Sequence, residues 1–176
     1  MKKIDCFFLV FFFSLNCCFA QEKLDVFDIA RKGTIEQAKQ VLKTNPNAFK
    51  TVNKDSFSPL TLACYKGNNE VAKLLIESGC DINQKSGMGT PLMAAVVKGN
   101  VEIVSLLLNK KAEVNSVDDN GTTALLYATM FKNREIASLL IKAKADPNTK
   151  DNRGNSALDY AILANDDKLI EILKTK

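Results

Sequence analysis

A six-residue segment recurs along this chain at nearly constant spacing. The copies occupy residues 58–63, 90–95, 123–128 and 156–161, so that successive copies begin 32, 33 and 33 residues apart. A second apolar segment follows each copy, at residues 71–75, 103–107, 136–140 and 169–173. A repeat of this length is typical of a solenoid, in which each unit contacts only its neighbours along the stack.

Each repeat unit carries the signals of two short helices. The recurring segment begins with Ser or Thr, whose side-chain oxygen can accept a hydrogen bond from a free N–H group at the start of a helix. Pro59 and Pro91 suit the first helical turn, where the missing N–H has no partner to lose. Gly67 and Gly99 predict the end of this helix in the left-handed conformation, and a second amphipathic helix with paired inward-facing leucines follows. The predicted capping residues are Ser58, Thr90, Thr123 and Ser156.

These motifs resemble the ankyrin-repeat family, whose units open with Asp-x-x-Gly-x-Thr-Pro-Leu-His-x-Ala-Ala, carry a central Gly and end with Gly-Ala-Asp-Val-Asn. The resemblance covers Leu24 to Lys176. It implies an all-α solenoid of about five stacked helix-turn-helix units with projecting turn tips. The predicted domain spans residues 21–176, with an N-terminal capping unit at 24–50, repeats near 53–84, 85–116 and 118–149, and a C-terminal capping unit at 151–176.

Two departures from the family pattern affect the turns. The family histidine is replaced by Thr61, Met93, Leu126 and Asp159, and the chain contains no histidine, so the turn network must be made in another way or is weaker. Lysines stand where the family has glycine at positive φ. A non-glycine residue held at positive φ costs about 1 kcal/mol, so we predict less rigid third and fourth repeats. These lysines are Lys111, Lys132 and Lys144.

The first twenty residues predict export. Lys2 and Lys3 precede an almost wholly apolar run, and the segment ends at Ala20, which is the pattern of a secretion signal cleaved after that residue. The run is shorter than the ~20 residues that span a bilayer, so we expect no membrane span after cleavage. The mature protein is predicted to begin at Gln21 and to be periplasmic or secreted, as in an exported bacterial protein.

An alternative interpretation of the same segment is a lipid anchor. Leu15-Asn16-Cys17-Cys18 loosely resembles the cleavage box of bacterial lipoproteins, in which the cysteine is acylated. The chain would then be an envelope protein whose repeats serve mainly as a structural spacer. Cys64 and Cys80 occupy small-residue packing positions of the repeat, and we expect both to be buried thiols without a disulfide between them.

Composition argues against several classes of function. The net charge is only +4, and lysines alternate with acidic residues, so a nucleic-acid partner is not expected. The absence of histidine removes imidazole catalysis and nearly all zinc ligation. Acidic side chains are assigned to turn tips or solvent-facing positions, not to a pocket. We therefore predict no catalytic residues, no metal, no cofactor and no enzymatic activity.

The resemblance implies a binding surface on the concave side of the stack. We expect this chain to be a monomer and its partner to be a protein. Exposed apolar and aromatic side chains rimmed by lysines are typical of such a surface. One alternative stays open, namely that some of these side chains point into the stack, as Met130 or Phe131 would if it filled the space left by the absent glycine at Lys132. The predicted partner-binding residues are Phe57, Tyr65, Lys66, Met88, Val97, Lys98, Met130 and Phe131.

Overall fold

A computed structural model describes residues 25–87 and 89–174 of the chain. The predicted secretion signal at residues 1–20, the alternative lipid sites at Cys17 and Cys18, and the candidate binding residue Met88 lie outside the described residues. The described helices are α1 (Val26–Lys32), α2 (Ile35–Thr44), α3 (Pro59–Lys66), α4 (Asn69–Glu77), α5 (Pro91–Lys98), α6 (Val101–Asn109), α7 (Ala124–Met130), α8 (Arg134–Lys142), α9 (Ala157–Leu163) and α10 (Asp167–Lys174).

The helices pair and stack in two layers. The odd-numbered helices contact one another in chain order and form the inner layer, while the even-numbered helices form the outer layer in the same order. In the described part of the chain, β-structure is limited to the isolated bridges Ser86–Gly89 and Val117–Thr123, at the turn tips that project between units. The prediction of an all-α solenoid of stacked helix pairs is confirmed.

The predicted helix boundaries follow from local hydrogen bonds. The four capping hydroxyls, Ser58, Thr90, Thr123 and Ser156, each accept from the N–H three residues further on, at distances of 3.1, 3.4, 3.2 and 3.2 Å. Gly67 and Gly99 end α3 and α5 at φ 76° and 73°. These caps confirm the starts of α3, α5, α7 and α9 and the ends of α3 and α5.

Three lysines adopt the conformation that the family gives to glycine. Lys111, Lys132 and Lys144 have φ values of 67°, 54° and 69°. The left-handed region brings Cβ close to the following carbonyl oxygen, so each of these backbones is strained. The sequence prediction of positive φ at these lysines is confirmed.

The paired leucines of the outer helices have unequal roles. Leu75, Leu107 and Leu140, the second members of their pairs, are completely buried. The first members, which are Leu74, Leu106 and Leu139, are only partly buried and pack against the core from its edge. The expectation that both leucines face inward therefore needs correction: at helical spacing, adjacent residues point about 100° apart, so only one can face the inner layer fully.

Two tyrosines replace the missing histidine in the turn network. The Tyr127 hydroxyl donates to Asp118 Oδ2 at 2.6 Å, and the Tyr160 hydroxyl donates to Asp151 Oδ2 at 2.5 Å. The Oδ1 atom of each aspartate accepts two backbone N–H groups of its own turn. Asp118 and Asp151 lie at the tips as predicted, and they are buried there, with exposures of 6% and 9%.

A third carboxylate, at the C-terminal end of the stack, is also buried. Asp166 lies at the start of α10, where it accepts from Leu169 N–H and from Arg134 Nε at 3.0 Å. The ion pair joins α8 to α10 and stabilises the stacking of the last two units.

Cys64 and Cys80 are both free thiols and buried. Among the described residues, no helix is both long and apolar enough to cross a bilayer.

Candidate functional site

A groove of about 470 Å³ is lined by residues of the inner helices and of a turn tip. The turn at residues 53–57 forms one side, and the rest comes from α3, α5, α7, the residue that follows α7, and Arg31 of α1. Four of its side chains are aromatic. The residues of this surface, which we call the inner-helix groove, include Phe57, Tyr65, Lys66, Val97, Tyr127 and Phe131.

The structure brings most of the predicted binding residues to this groove. Five line it directly, namely Phe57, Tyr65, Lys66, Val97 and Phe131. Met130 lines a smaller neighbouring depression of about 210 Å³. Lys98 is exposed beside the groove, and its side chain lies against Gly67 at the end of α3. The placement of these side chains is thus established, whereas their role in binding stays a prediction.

Exposure answers the question about Met130 and Phe131. Met130 is 41% exposed and Phe131 is 56% exposed, so neither side chain fills space inside the stack, and the alternative is wrong for these two residues. Tyr65 is 43% exposed. Phe57 differs, because it is partly buried and packs against the core, which gives it a structural role as well.

Tyr127 holds the groove wall in place, and the sequence analysis did not select it. Its ring stacks on Phe131 with centroids 6.3 Å apart and planes 9° apart, while its hydroxyl is fixed by Asp118. Burial and the Asp118 carboxylate raise the pKa of Tyr127 to about 12, so it is a neutral hydrogen-bond donor at neutral pH. Tyr127 also borders the smaller depression, and therefore separates the two.

A sequence signal for Tyr127 did exist. It stands one residue before the last Ala of the recurring segment, where Leu62, Ala94 and Tyr160 stand in the other copies. Leu62 and Ala94 line the groove as well. The sequence analysis missed this position because, apart from turn tips, it selected only the residues nearest the end of each inner helix. Those ends carry two more exposed apolar residues in the last unit, Ile162 and Leu163, which are 53% and 71% exposed.

Positive charge dominates the groove and its edge. Arg31 and Lys66 contribute cations to the lining, and Asp55 contributes one carboxylate. Lys66 Nζ lies 5.5 Å from the centroid of the Tyr65 ring, within the range of a cation–π contact. Arg31 is partly neutralised by Asp28 at 3.1 Å.

The carboxyls with altered pKa have structural partners. Hydrogen bonds from the Tyr160 hydroxyl, the Ser156 hydroxyl and the Arg134 guanidinium lower the pKa of Asp151, Asp159 and Asp166, respectively. A general acid needs the opposite shift at neutral pH. Burial raises the pKa of the Cys64 thiol to about 12, which keeps it protonated. Within residues 25–87 and 89–174, no group of three or more acidic or cysteine side chains could hold a metal ion.

Comparison with known proteins identifies the family. A family model described as ankyrin repeats, in three copies, matches residues 26–118 and 92–176. The chain belongs to the ankyrin-repeat family. Ankyrin repeats generally act as non-enzymatic protein-interaction modules, and the architecture of stacked helix pairs described above is that of this family.

One curated relative is itself described as an enzyme. The ankyrin-repeat chain is 36% identical over 81 residues to the E3 ubiquitin-protein ligase XBAT33 of Arabidopsis thaliana. The match covers 43% of this chain and 15% of the ligase. The similarity is thus confined to a small part of the relative, and it supports the repeat assignment without extending to ligase activity.

Proposed function

We propose that this ankyrin-repeat protein is a non-enzymatic, exported module that binds a protein partner through the inner-helix groove on its concave face. The observation that carries the proposal is the set of exposed aromatic side chains on a rigid support. Tyr65 and Phe131 are about half exposed, and Phe131 stacks on a tyrosine whose hydroxyl is anchored by a buried carboxylate.

Such an arrangement favours protein binding for two physical reasons. Large aromatic side chains left in water gain free energy when a partner covers them, and they contribute much of the affinity in measured interfaces. A side chain that is already held in place loses little conformational entropy on binding. The apolar residues form a contiguous patch across α3, α5 and α7, unlike the scattered exposed apolar residues of an ordinary surface.

A double substitution tests the location of the site. Tyr65→Ala combined with Phe131→Ala should weaken capture of the partner by about 2 kcal/mol or more, because the aromatic anchors are removed. Glu77→Ala with Glu135→Ala is the matched control, since both residues are exposed on the outer helices α4 and α8. Capture would be compared by affinity purification, after thermal melting has shown that both variants fold like the parent.

The two variants give opposite outcomes for the two faces. Unchanged capture by the aromatic variant, with loss in the control, would move the site to the outer helices. A large drop in melting temperature for the aromatic variant would instead assign Tyr65 and Phe131 to the core.

Export is proposed from residues 1–20, which lie outside the described residues. Mass measurement of the mature N-terminus tests it. A chain that begins at Gln21 supports the cleaved signal, and an acylated Cys17 or Cys18 supports the alternative lipid-anchored spacer. A cytoplasmic chain that retains Met1 would contradict both.

A further inference from the structure

The inner-helix groove has room for a large side chain. Its volume of about 470 Å³ falls within the range of roughly 300–1,000 Å³ that is usual for pockets enclosing a ligand. Leu62, Ala94 and Val97 supply apolar surface, and Tyr65 and Phe131 supply aromatic rings. The chemistry of this surface suits one large apolar or aromatic side chain of a partner.

Two lysines lie together at one edge of the groove. Lys66 is the last residue of α3. The Lys98 side chain extends from α5 towards the end of α3, and a Cβ atom at Gly67 would lie only 2.7 Å from Lys98 Cε. Lys98 is thus held beside the residue that directly follows Lys66. In the described part of the chain, neither lysine has a carboxylate within the 4.0 Å of an ion pair.

The nearby carboxylates do not balance these lysines. Asp118, which anchors Tyr127 of the groove wall, already accepts the Tyr127 hydroxyl and two backbone N–H groups. Arg31 is partly neutralised by Asp28. Asp55 contributes one negative charge to the lining, against the positive charges of Lys66 and the neighbouring Lys98. The groove edge at the end of α3 therefore carries a surplus of positive charge, which attracts a negatively charged group of a partner.

A second depression adjoins the inner-helix groove at Tyr127. Tyr127 separates the groove from the second depression, of about 210 Å³, which is lined by Met130, Arg153 and Tyr160 among others. An elongated occupant can reach both depressions along the inner layer, whereas a compact small molecule would fill only one.

From these three observations we infer that the occupant is a peptide segment of the partner, with a large apolar anchor residue and acidic residues beside it. The anchor enters the inner-helix groove, and an acidic side chain binds Lys66 and Lys98. This inference rests on the proposed function and adds the chemistry of the partner to it.

The test selects peptides from a random library displayed on phage, using the purified protein as bait. Selected sequences are expected to combine an aromatic or large aliphatic residue with Asp or Glu, and to lack Lys and Arg. Synthetic peptides of the selected sequences should bind about tenfold more weakly to the Lys66→Glu, Lys98→Glu variant, because opposite charges across the interface become like charges. Their binding to the unmodified protein should also weaken as salt is raised.

The matched control reverses two other lysines, Lys43→Glu and Lys142→Glu. Both residues are exposed and lie in the last turns of the outer helices α2 and α8, so the net charge and the interaction with the helix dipole change equally. Affinity in this control should stay close to that of the parent. If the lysine variants do not fold, the salt dependence of the unmodified protein still decides the question.

The outcomes separate this inference from the proposed function. Peptides without acidic residues that still lose binding with Tyr65→Ala and Phe131→Ala would overturn the acidic-segment inference alone. Peptides indifferent to those alanines would overturn the proposed function as well. A library that yields no binder would contradict a peptide as the occupant of the groove. A dimer in sedimentation that the same alanines abolish would contradict it too, because a second copy of the chain would then occupy the groove.

Discussion

At the scale of single residues, the buried carboxylates of Asp118 and Asp151 each depend on a tyrosine hydroxyl for one hydrogen bond. A buried charge without its partner keeps its full desolvation cost, so these hydroxyls matter more than an average hydrogen bond. Tyr127 has the additional role of supporting Phe131 in the groove. Turn stability and groove geometry are therefore coupled through one side chain.

Removal of these hydroxyls tests the tyrosine network. Tyr127→Phe and Tyr160→Phe should each lower the free energy of unfolding by about 1.5–3 kcal/mol, because each leaves a buried carboxylate one hydrogen bond short. Urea denaturation measures the change. Tyr65→Phe is the control, since the Tyr65 side chain is exposed. Tyr160→Phe should also raise the pKa of Asp151 towards its ordinary value, and an unchanged Asp151 titration would contradict the assignment.

The strained lysines give a second residue-scale prediction. Lys111→Gly and Lys144→Gly should each raise the free energy of unfolding by about 0.5–1 kcal/mol, because glycine adopts positive φ without strain. The reciprocal change, Gly79→Lys, should lower it by a similar amount. Gly79 occupies the same repeat position, with φ 74°, and a Cβ there would contact nothing within 4 Å. Equal effects of opposite sign in urea denaturation are expected, and a destabilising Lys144→Gly would refute the strain.

The family pattern was sufficient to predict these backbone conformations, but it did not predict the tyrosine network. Lys111, Lys132 and Lys144 could be assigned positive φ because the repeat register places them at glycine positions. The lost histidine was equally visible. Its replacement was not, because Tyr127 and Tyr160 stand at another position of the segment, and their contact with the aspartates depends on how the turn folds back on the helix.

At the scale of helices, the outer helices α4, α6 and α8 each bury one leucine of a pair completely, namely Leu75, Leu107 and Leu140. Leu107 of α6 is completely buried, whereas its neighbour Leu106 is only partly buried. Helical geometry lets only one of two adjacent leucines face the inner layer fully, and the structure shows that it is Leu107.

Truncation of the two leucines should separate their roles. Leu107→Ala should lower the free energy of unfolding by about 2–5 kcal/mol, through lost burial and the cavity left behind. Leu106→Ala should cost clearly less, and Lys110→Ala on the exposed end of α6 should change little. Equal losses for Leu106 and Leu107, measured by urea denaturation, would contradict the packing described for α6.

Sensitivity to acid should be concentrated in the last two units. Backbone and side-chain hydrogen bonds lower the pKa of Asp146, Asp151, Asp159 and Asp166 in the folded state. A carboxyl with a lowered folded-state pKa adds stability above its unfolded pKa of about 4, and this contribution is lost as pH falls through the folded-state pKa. Hydrogen exchange at decreasing pH should therefore show residues 146–174 opening before residues 25–110. Uniform loss of protection along the chain would contradict this.

At the scale of the whole molecule, the sequence predicted the stack because a repeat must bury its apolar face against its neighbours. It also predicted five of the residues that line the inner-helix groove, since the register of the repeat fixes which face each residue occupies. It did not predict how exposed each side chain is. Met130 and Phe131 could have pointed inward, and only their exposures of 41% and 56% distinguish the two cases.

The central claim is that the inner-helix groove is where this ankyrin-repeat protein meets its partner, and site-specific crosslinking tests it most directly. Phe131 would be replaced by the photoreactive residue p-benzoylphenylalanine, which preserves an aromatic ring in the groove, and Glu77 on α4 would be replaced in the same way as the outer-face control. Irradiation in the native setting should crosslink a protein partner from position 131 and not from position 77. Crosslinking from position 77 alone would contradict the account.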